Sequence, residues 1–305
     1  MKLLVVLGPT ASGKTKLGIE LAKELNGEIV SADSMQIYQE MDIGTAKPTL
    51  DEMQGIPHHC ISFIRPDQEY SVAEYVKDAN RIIQEIAERR KQPILVGGTG
   101  LYIDSLCSNT QFSPAYRDEA LRKKLMGQAE QSGNDTIYQR LCKIDPAAAE
   151  KIHVNDTKRI VRALEIYELS GVPMSEHDKK SKQVPPAFET VKIGLTGERD
   201  QLYSRINQRV EEMLNAGLAE EVNRLLQGGL SKDAQSMQAI GYKEVFYYLH
   251  GLCGYEEMKE LLKRNTRRYA KRQMTWFRRD TSIWWLRMGE KPDIEKIRQK
   301  LNASI

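Results

Sequence analysis

The sequence predicts an α/β fold: a parallel sheet flanked by helices, interrupted by a helical insertion. Three observations lead there. Apolar runs of strand length alternate with amphipathic runs of helical length through the first third of the chain. The first of them, KLLVVL, enters a glycine turn and then an apolar pattern of helical spacing, KTKLGIELA. From about Phe112 to Pro186 the pattern becomes helical and charged, before an apolar run resumes at Val191.

Each element has a local reason. Leu3–Leu7 is a short continuous apolar run stopped by Gly8, the pattern of a buried strand. A helix is expected over Lys14–Leu25, and a second strand over Glu28–Ala32, ending at Asp33. Ser71–Arg90 reads as a long amphipathic helix, and Pro93–Val96 as a buried strand ending at Gly97-Gly98. In the insertion, helices are expected over Asp118–Gln131 and Thr136–Lys143, and Asp145-Pro146 starts another. Asn155-Asp156-Thr157 caps a helix that runs to Ser170 and stops at Gly171. A Lys-rich stretch with Pro185-Pro186 closes the insertion, and Val191–Leu195 returns to the sheet. One helix is expected from about Asp200 to Leu226, ended by Gly228-Gly229. A helix-rich tail follows, with Trp284-Trp285 in a last edge strand. The expected division is an α/β core of residues 1–111 and 188–305 around an insertion of residues 112–187.

With 305 residues, the chain can bury a sizeable core. No apolar run approaches the roughly 20 residues of a membrane span, and the start lacks a signal-peptide pattern. Four scattered cysteines suit reduced thiols rather than a disulfide frame or zinc site. A cytoplasmic protein, monomeric and without membrane contact, is expected. The net charge of +3 neither demands nor excludes a nucleic-acid partner, so local charge decides.

Gly8-Pro9-Thr10-Ala11-Ser12-Gly13-Lys14-Thr15 fits the phosphate-loop pattern G-x-x-x-x-G-K-[ST] at every position. Glycines let backbone N–H groups converge on phosphate oxygens, and the following helix adds its positive end. Lys14 supplies a full charge, and the Thr15 hydroxyl suits a Mg²⁺ ligand. The expected fold is therefore P-loop NTPase-like, with ATP or another nucleotide as one candidate ligand. A nucleotide hydrolase needs an acid at the end of a later strand. Here that strand ends in GGTGLY, and only Asp33, ending the second strand, is well placed. The hydrolase apparatus is incomplete.

Asp33 lies in SADSMQIY, at the carboxyl end of a strand, where open α/β sheets bind ligands. Spacing also allows a capping role, because Asp33-x-x-Gln36 resembles a capping box. MDIGTAKP (Met41–Pro48) is rich in turn residues and is expected to loop over the same crevice.

GPTASGKT, DSMQIY, MDIGTAKP, GGTGLY and IGYKE (Ile240–Glu244) occur in this order and at this spacing. Together they resemble the tRNA dimethylallyltransferase, or tRNA isopentenyltransferase, family. NDTKRIVRALEIYELSG and YAKRQMTWFR are similar to further family segments, so the likeness covers nearly the whole chain. With no Cys/His cluster at its end, the chain resembles the bacterial form rather than members with a zinc finger.

The resemblance implies transfer of a dimethylallyl group from dimethylallyl diphosphate to N6 of the adenosine 3′ of the anticodon, with Mg²⁺ as cofactor. The phosphate loop, Gly8 to Thr15, would then hold a diphosphate leaving group, with Thr10 near the bridging oxygen and Lys14 on the developing charge. Arg209 matches a family arginine assigned to the diphosphate. Asp33 matches the general base, and Ser34, Met35 and Gln36 belong to the same base-reading motif. Thr99 matches a position close to the target nucleotide. Arg122, Lys158, Arg159, Arg162, Gln238, Gly241, Tyr242 and Lys243 match tRNA-contact positions.

KRNTRRYAKRQMTWFRR (Lys263–Arg279) has eight basic residues and no acidic ones. Arg264, Arg267, Arg268, Lys271 and Arg272 fall on one helix face, an arrangement suited to RNA phosphates. The interleaved Tyr269, Trp276 and Phe277 are expected on the core side. His58-His59 is read as loop or core, not a metal site. Two other function classes fit the phosphate loop alone: a small-molecule or nucleoside kinase, and a nucleotide-dependent RNA-binding module without covalent chemistry.

Overall fold

The computed structural model describes residues 2–112, 118–181 and 183–302. The chain forms two compact units: Met1–Cys107 with Phe188–Ile305, and Ser108–Ala187. In chain order, the first unit opens with β1 (Lys2–Leu7), α1 (Lys14–Glu24), β2 (Gly27–Ala32), α2 (Leu50–Met53), β3 (His58–His59), α3 (Val72–Glu88), β4 (Gln92–Gly97) and α4 (Gly100–Cys107). The second unit is helical: α5 (Glu119–Ser132), α6 (Asn134–Ile144), α7 (Pro146–Ala149), α8 (Thr157–Ser170) and α9 (Met174–Ser181). The first unit resumes with β5 (Glu189–Thr196), α10 (Arg199–Asn215), α11 (Leu218–Gln227), α12 (Tyr242–Leu249), α13 (Tyr255–Phe277), β6 (Trp284–Arg287) and α14 (Ile294–Asn302).

Among the described residues, six strands form one all-parallel sheet in the order β3-β2-β4-β1-β5-β6. Its inner strands read as continuous apolar runs because helices cover both faces. Leu4 and Val6 of β1, with Ile29, Ile94 and Ile193, pack against Leu17 and Leu21 of α1 and Ile297 of α14. The crossover that carries α3 runs from the edge strand β3 back to β4, opposite in direction to the one that carries α1, so a right-handed connection puts α3 on the opposite face. There the Tyr75 hydroxyl donates to the Ser31 carbonyl at 3.0 Å. Local signals set the helix ends. Ser71 and Glu74 form a capping box on α3, Asp156 caps α8, and Gly171, at φ +70°, ends it.

Two expectations change. The single helix expected from Asp200 to Leu226 is two, α10 and α11, because Gly217 turns left-handed at φ +97° between them. His58-His59 forms a short edge strand beside β2, where His59 Nε2 and the Arg89 guanidinium both bond the buried Glu28 carboxylate at 2.8 Å.

The second unit closes on its own apolar cluster, including Leu125, Ile137, Leu141, Ile160 and Leu164. Beside it, Glu165 is fully buried and accepts from Arg122 and Arg162 at 2.8 Å and from the Asp118 amide at 3.2 Å. Burial pushes its carboxyl up, but these donors outweigh burial and leave it below the usual range. A depressed carboxyl stabilises the fold above its unfolded value and loses that contribution as pH falls through its folded value. Hydrogen exchange of α5 and α8 should therefore quicken as the full chain is acidified below about pH 4. Glu165→Gln should flatten that dependence.

Candidate active site

At the carboxyl ends of the strands, the first unit holds a crevice of about 340 Å³. Thr10, Lys14, Thr15, Asp33, Ser34, Met35, Gln36, Arg209 and Gln238 line it, so the structure gathers these sequence-expected residues at one cavity. The phosphate loop makes one rim. Ala11 and Gly13 are left-handed, at φ +61° and +94°. A Cβ on Gly8 would meet the Leu195 carbonyl at 2.9 Å, so the first glycine permits close approach to β5. Pro9 and Ser12 are buried behind the rim. The Lys14 ammonium donates to the Pro9 carbonyl at 2.7 Å.

Asp33 stands on the opposite rim, just after β2. Its Oδ1 accepts from the Met35 amide at 2.9 Å and the Gln36 amide at 3.4 Å, so it caps a turn rather than a helix. Ser34 is held across the sheet end, its amide donating to Thr99 Oγ1 at 3.1 Å.

The charges are strongly coupled to burial. Desolvation, and then Arg209, pull the Lys14 ammonium down to about 8, while Asp33 pulls it partly back. Desolvation also lowers Arg209, although Glu212 and Glu52 support its charge. Asp33 is pushed above the usual carboxylate range by burial, against the Met35 amide and Lys14. Two desolvated cations in one crevice favour an anionic ligand, and a raised carboxylate favours taking a proton.

Helix α13 contributes residues that sequence reading did not assign. Gln273 is buried, with Oε1 accepting from the Thr10 amide at 2.9 Å and Nε2 donating to the Gly98 carbonyl at 2.8 Å. Tyr269 lines the crevice instead of packing into the core, with the Thr99 and Gln273 side chains beside it. Phe277 is in the core, and Trp276 donates to Asp104 at 2.7 Å. Tyr269 and Gln273 stand four residues apart on a basic helix. That spacing is a local signal of a shared face, masked by the helix's charge.

A family model described as IPP transferase matches residues 36–280. The chain belongs to the IPP transferase family. A tRNA dimethylallyltransferase from Acetivibrio thermocellus is 51% identical over 298 residues, covering 98% of this chain and 95% of its own. One from Carboxydothermus hydrogenoformans is 51% identical over 300 residues, covering 98% and 96%. The solved full-length tRNA isopentenylpyrophosphate transferase of Bacillus halodurans matches with a TM-score of 0.73 at 45% identity, covering 98% of this chain and 95% of that one. A eukaryotic dimethylallyltransferase acting on tRNA matches with a TM-score of 0.80 at 32% identity, covering 99% and 76%.

In this IPP transferase the remaining expected RNA-facing residues fall into three groups. Lys158 and Arg159 are exposed at the start of α8, and Arg122 and Arg162 are half-exposed around Glu165, all in the second unit. Lys243 is exposed at the start of α12. Gly241 and Tyr242 are buried, and the Tyr242 hydroxyl donates to Glu221 at 2.6 Å. The Tyr242 ring fills the core against Gly44, so its side chain is turned away from solvent.

The depressed Lys14 gives a pH prediction. Above about pH 8 the empty crevice holds a neutral Lys14, so affinity for a diphosphate ligand should fall up to about tenfold per pH unit. Titration calorimetry with inorganic diphosphate between neutral and alkaline pH checks this. Lys14→Met should bind weakly with a flatter profile.

Proposed function

We propose that this chain modifies tRNA, transferring a dimethylallyl group from dimethylallyl diphosphate to N6 of the adenosine 3′ of the anticodon. The observation that carries this reading is the pairing, in one crevice, of two desolvated cations with a raised carboxylate. Family membership supplies the reaction class. Val210, Met213 and Leu262 add an apolar wall beside Arg209, suited to a short prenyl tail.

Each residue has a distinct task. The phosphate loop, Lys14 and Arg209 hold the diphosphate, and Thr10 faces it from within the loop. As the allylic C1–O bond breaks, its electron pair leaves with the diphosphate, and Lys14 and Arg209 meet the growing charge. The N6 lone pair forms the new bond to C1. Asp33 takes the N6 proton, which a carboxylate with raised proton affinity does more readily. Thr99 and Tyr269 border the place where an unstacked base would enter, and a single-stranded loop makes that unstacking inexpensive.

Mg²⁺ belongs to this proposal. Among the described residues, no cluster of three or more His, Cys, Asp or Glu could hold a metal alone. An ion bound together with the diphosphate would take the Thr15 hydroxyl as its protein ligand. Such an ion adds positive charge at the leaving group. Among the described residues no helix is long and apolar enough to cross a membrane. The reading places a monomer in the cytoplasm, where its tRNA substrate is made.

The exposed face of α13 would grip RNA phosphates. Arg264, Arg268, Lys271 and Arg272 are exposed, while Arg267 is half-buried and donates to Asn207 at 2.6 Å.

Mass spectrometry of unmodified tRNA incubated with enzyme, Mg²⁺ and dimethylallyl diphosphate tests the function. One prenyl addition at the expected adenosine is the supporting result; unchanged tRNA overturns it. Asp33→Asn should lower kcat by about 10²–10⁴ and move tRNA affinity far less. In the wild type, kcat should fall as pH drops through the raised Asp33 value. Replacing Arg264, Arg268, Lys271 and Arg272 with Ala should reduce the salt slope of tRNA binding by about 0.7–0.9 for every RNA phosphate that is no longer neutralised.

A further inference from the structure

Glu221 lies on α11, and its carboxylate is almost completely buried. Oε2 accepts from the backbone amides of Asp42 at 3.0 Å and Ile43 at 2.9 Å. Oε1 accepts from the Gly44 amide at 3.2 Å and the Tyr242 hydroxyl at 2.6 Å. Successive amides aimed at one carboxylate make an anion nest, filled here by the protein's own side chain. Gly44 has no room for a Cβ, because the Tyr242 ring occupies that space.

What the nest anchors is a wall of the crevice, formed by Gly44, Thr45 and Ala46. The carbonyls of Thr45 and Ala46 accept from Gln36 Nε2 at 3.3 and 3.2 Å. Gln36 Oε1 accepts from Ser31 Oγ at 3.2 Å. Both hydrogens of the Gln36 amide are therefore committed, while its carbonyl oxygen keeps one lone pair. Gln36 offers the crevice an acceptor and no donor.

We propose that Glu221 is a positioning residue for base selection, acting through the 42–46 backbone to lock Gln36 as an acceptor toward the target base. The inference rests on the proposed function. An exocyclic amino group has two hydrogens, one for Asp33 and one for Gln36. A keto oxygen at the same place would set acceptor against acceptor on both sides. In Glu221→Gln the new NH₂ faces backbone N–H groups, which frees the wall and lets the Gln36 amide turn over.

The test compares two RNA stem-loops, one with adenosine and one with inosine at the target position. Binding of each and steady-state kinetics for the donor are measured for wild type, Glu221→Gln and Tyr242→Phe. Wild type should prefer adenosine by at least about tenfold. Glu221→Gln should reduce that preference to about threefold or less, with the donor KM within about twofold of wild type. Tyr242→Phe, which withdraws one donor and keeps the carboxylate, should move the preference in the same direction by a smaller factor. If Glu221→Gln shows no cooperative melt, Tyr242→Phe decides. An unchanged preference overturns the inference. So does an equal loss of affinity for both RNAs, which is the signature of general damage. Wild type that fails to prenylate tRNA overturns the function and the inference together; active wild type with an unchanged variant removes the inference alone.

Discussion

One buried amide holds the mouth of the sheet together. Gln273 reaches from α13 to the phosphate loop after β1 and to the glycine turn after β4. Loops have many conformations of similar energy, so two loops that must face one ligand need a common reference. A side chain on a long helix supplies it. Fixing Gln273 also fixes the rotation of α13. Tyr269, one turn earlier, then faces the crevice with Arg272, while Arg264, Arg268 and Lys271 stay in solvent. The glycine at 98 is required because a Cβ there would occupy the position of the Gln273 amide.

The second organising feature is electrostatic. Lys14 and Arg209 are desolvated before any ligand arrives, which costs folding free energy. The cost becomes preorganisation: when a leaving group gains charge, the cations are already in place and little water must be rearranged. Asp33 faces them across the same space and is raised by the same burial. Burial in a single crevice thus acts on both the anion-binding and the proton-accepting ends.

Much of this was legible in the sequence where the signal was local. The apolar run into Gly8, the amphipathic Ser71–Arg90 helix and the Asp156 to Gly171 helix each follow from residues a few positions apart. Asp33 was legible because strand ends are ligand positions in such sheets. What escaped depends on partners distant in sequence. Gln273 bonds a residue 263 positions away, and Glu221 bonds amides 177 to 179 positions away. Glu221 sits in an acidic helix start, the ordinary place for a solvated carboxylate. Tyr242 lies in a motif matching RNA-binding segments, yet its ring belongs to the core. β3 is too short to carry an alternation pattern.

The order of the sheet also constrains how the chain is made. β1 is an inner strand between β4 and β5, yet β5 lies beyond the whole of the second unit. On the ribosome, β1 can pair with β4 once Gly97 has emerged, but its other edge stays open until Thr196 is available. During that interval a continuous apolar strand presents unpaired backbone groups, the condition under which chains pair wrongly. The compact Ser108–Ala187 unit is synthesised within this window. Completion of the crevice waits longer still, because Tyr269 and Gln273 lie on α13, which follows β5 in the chain.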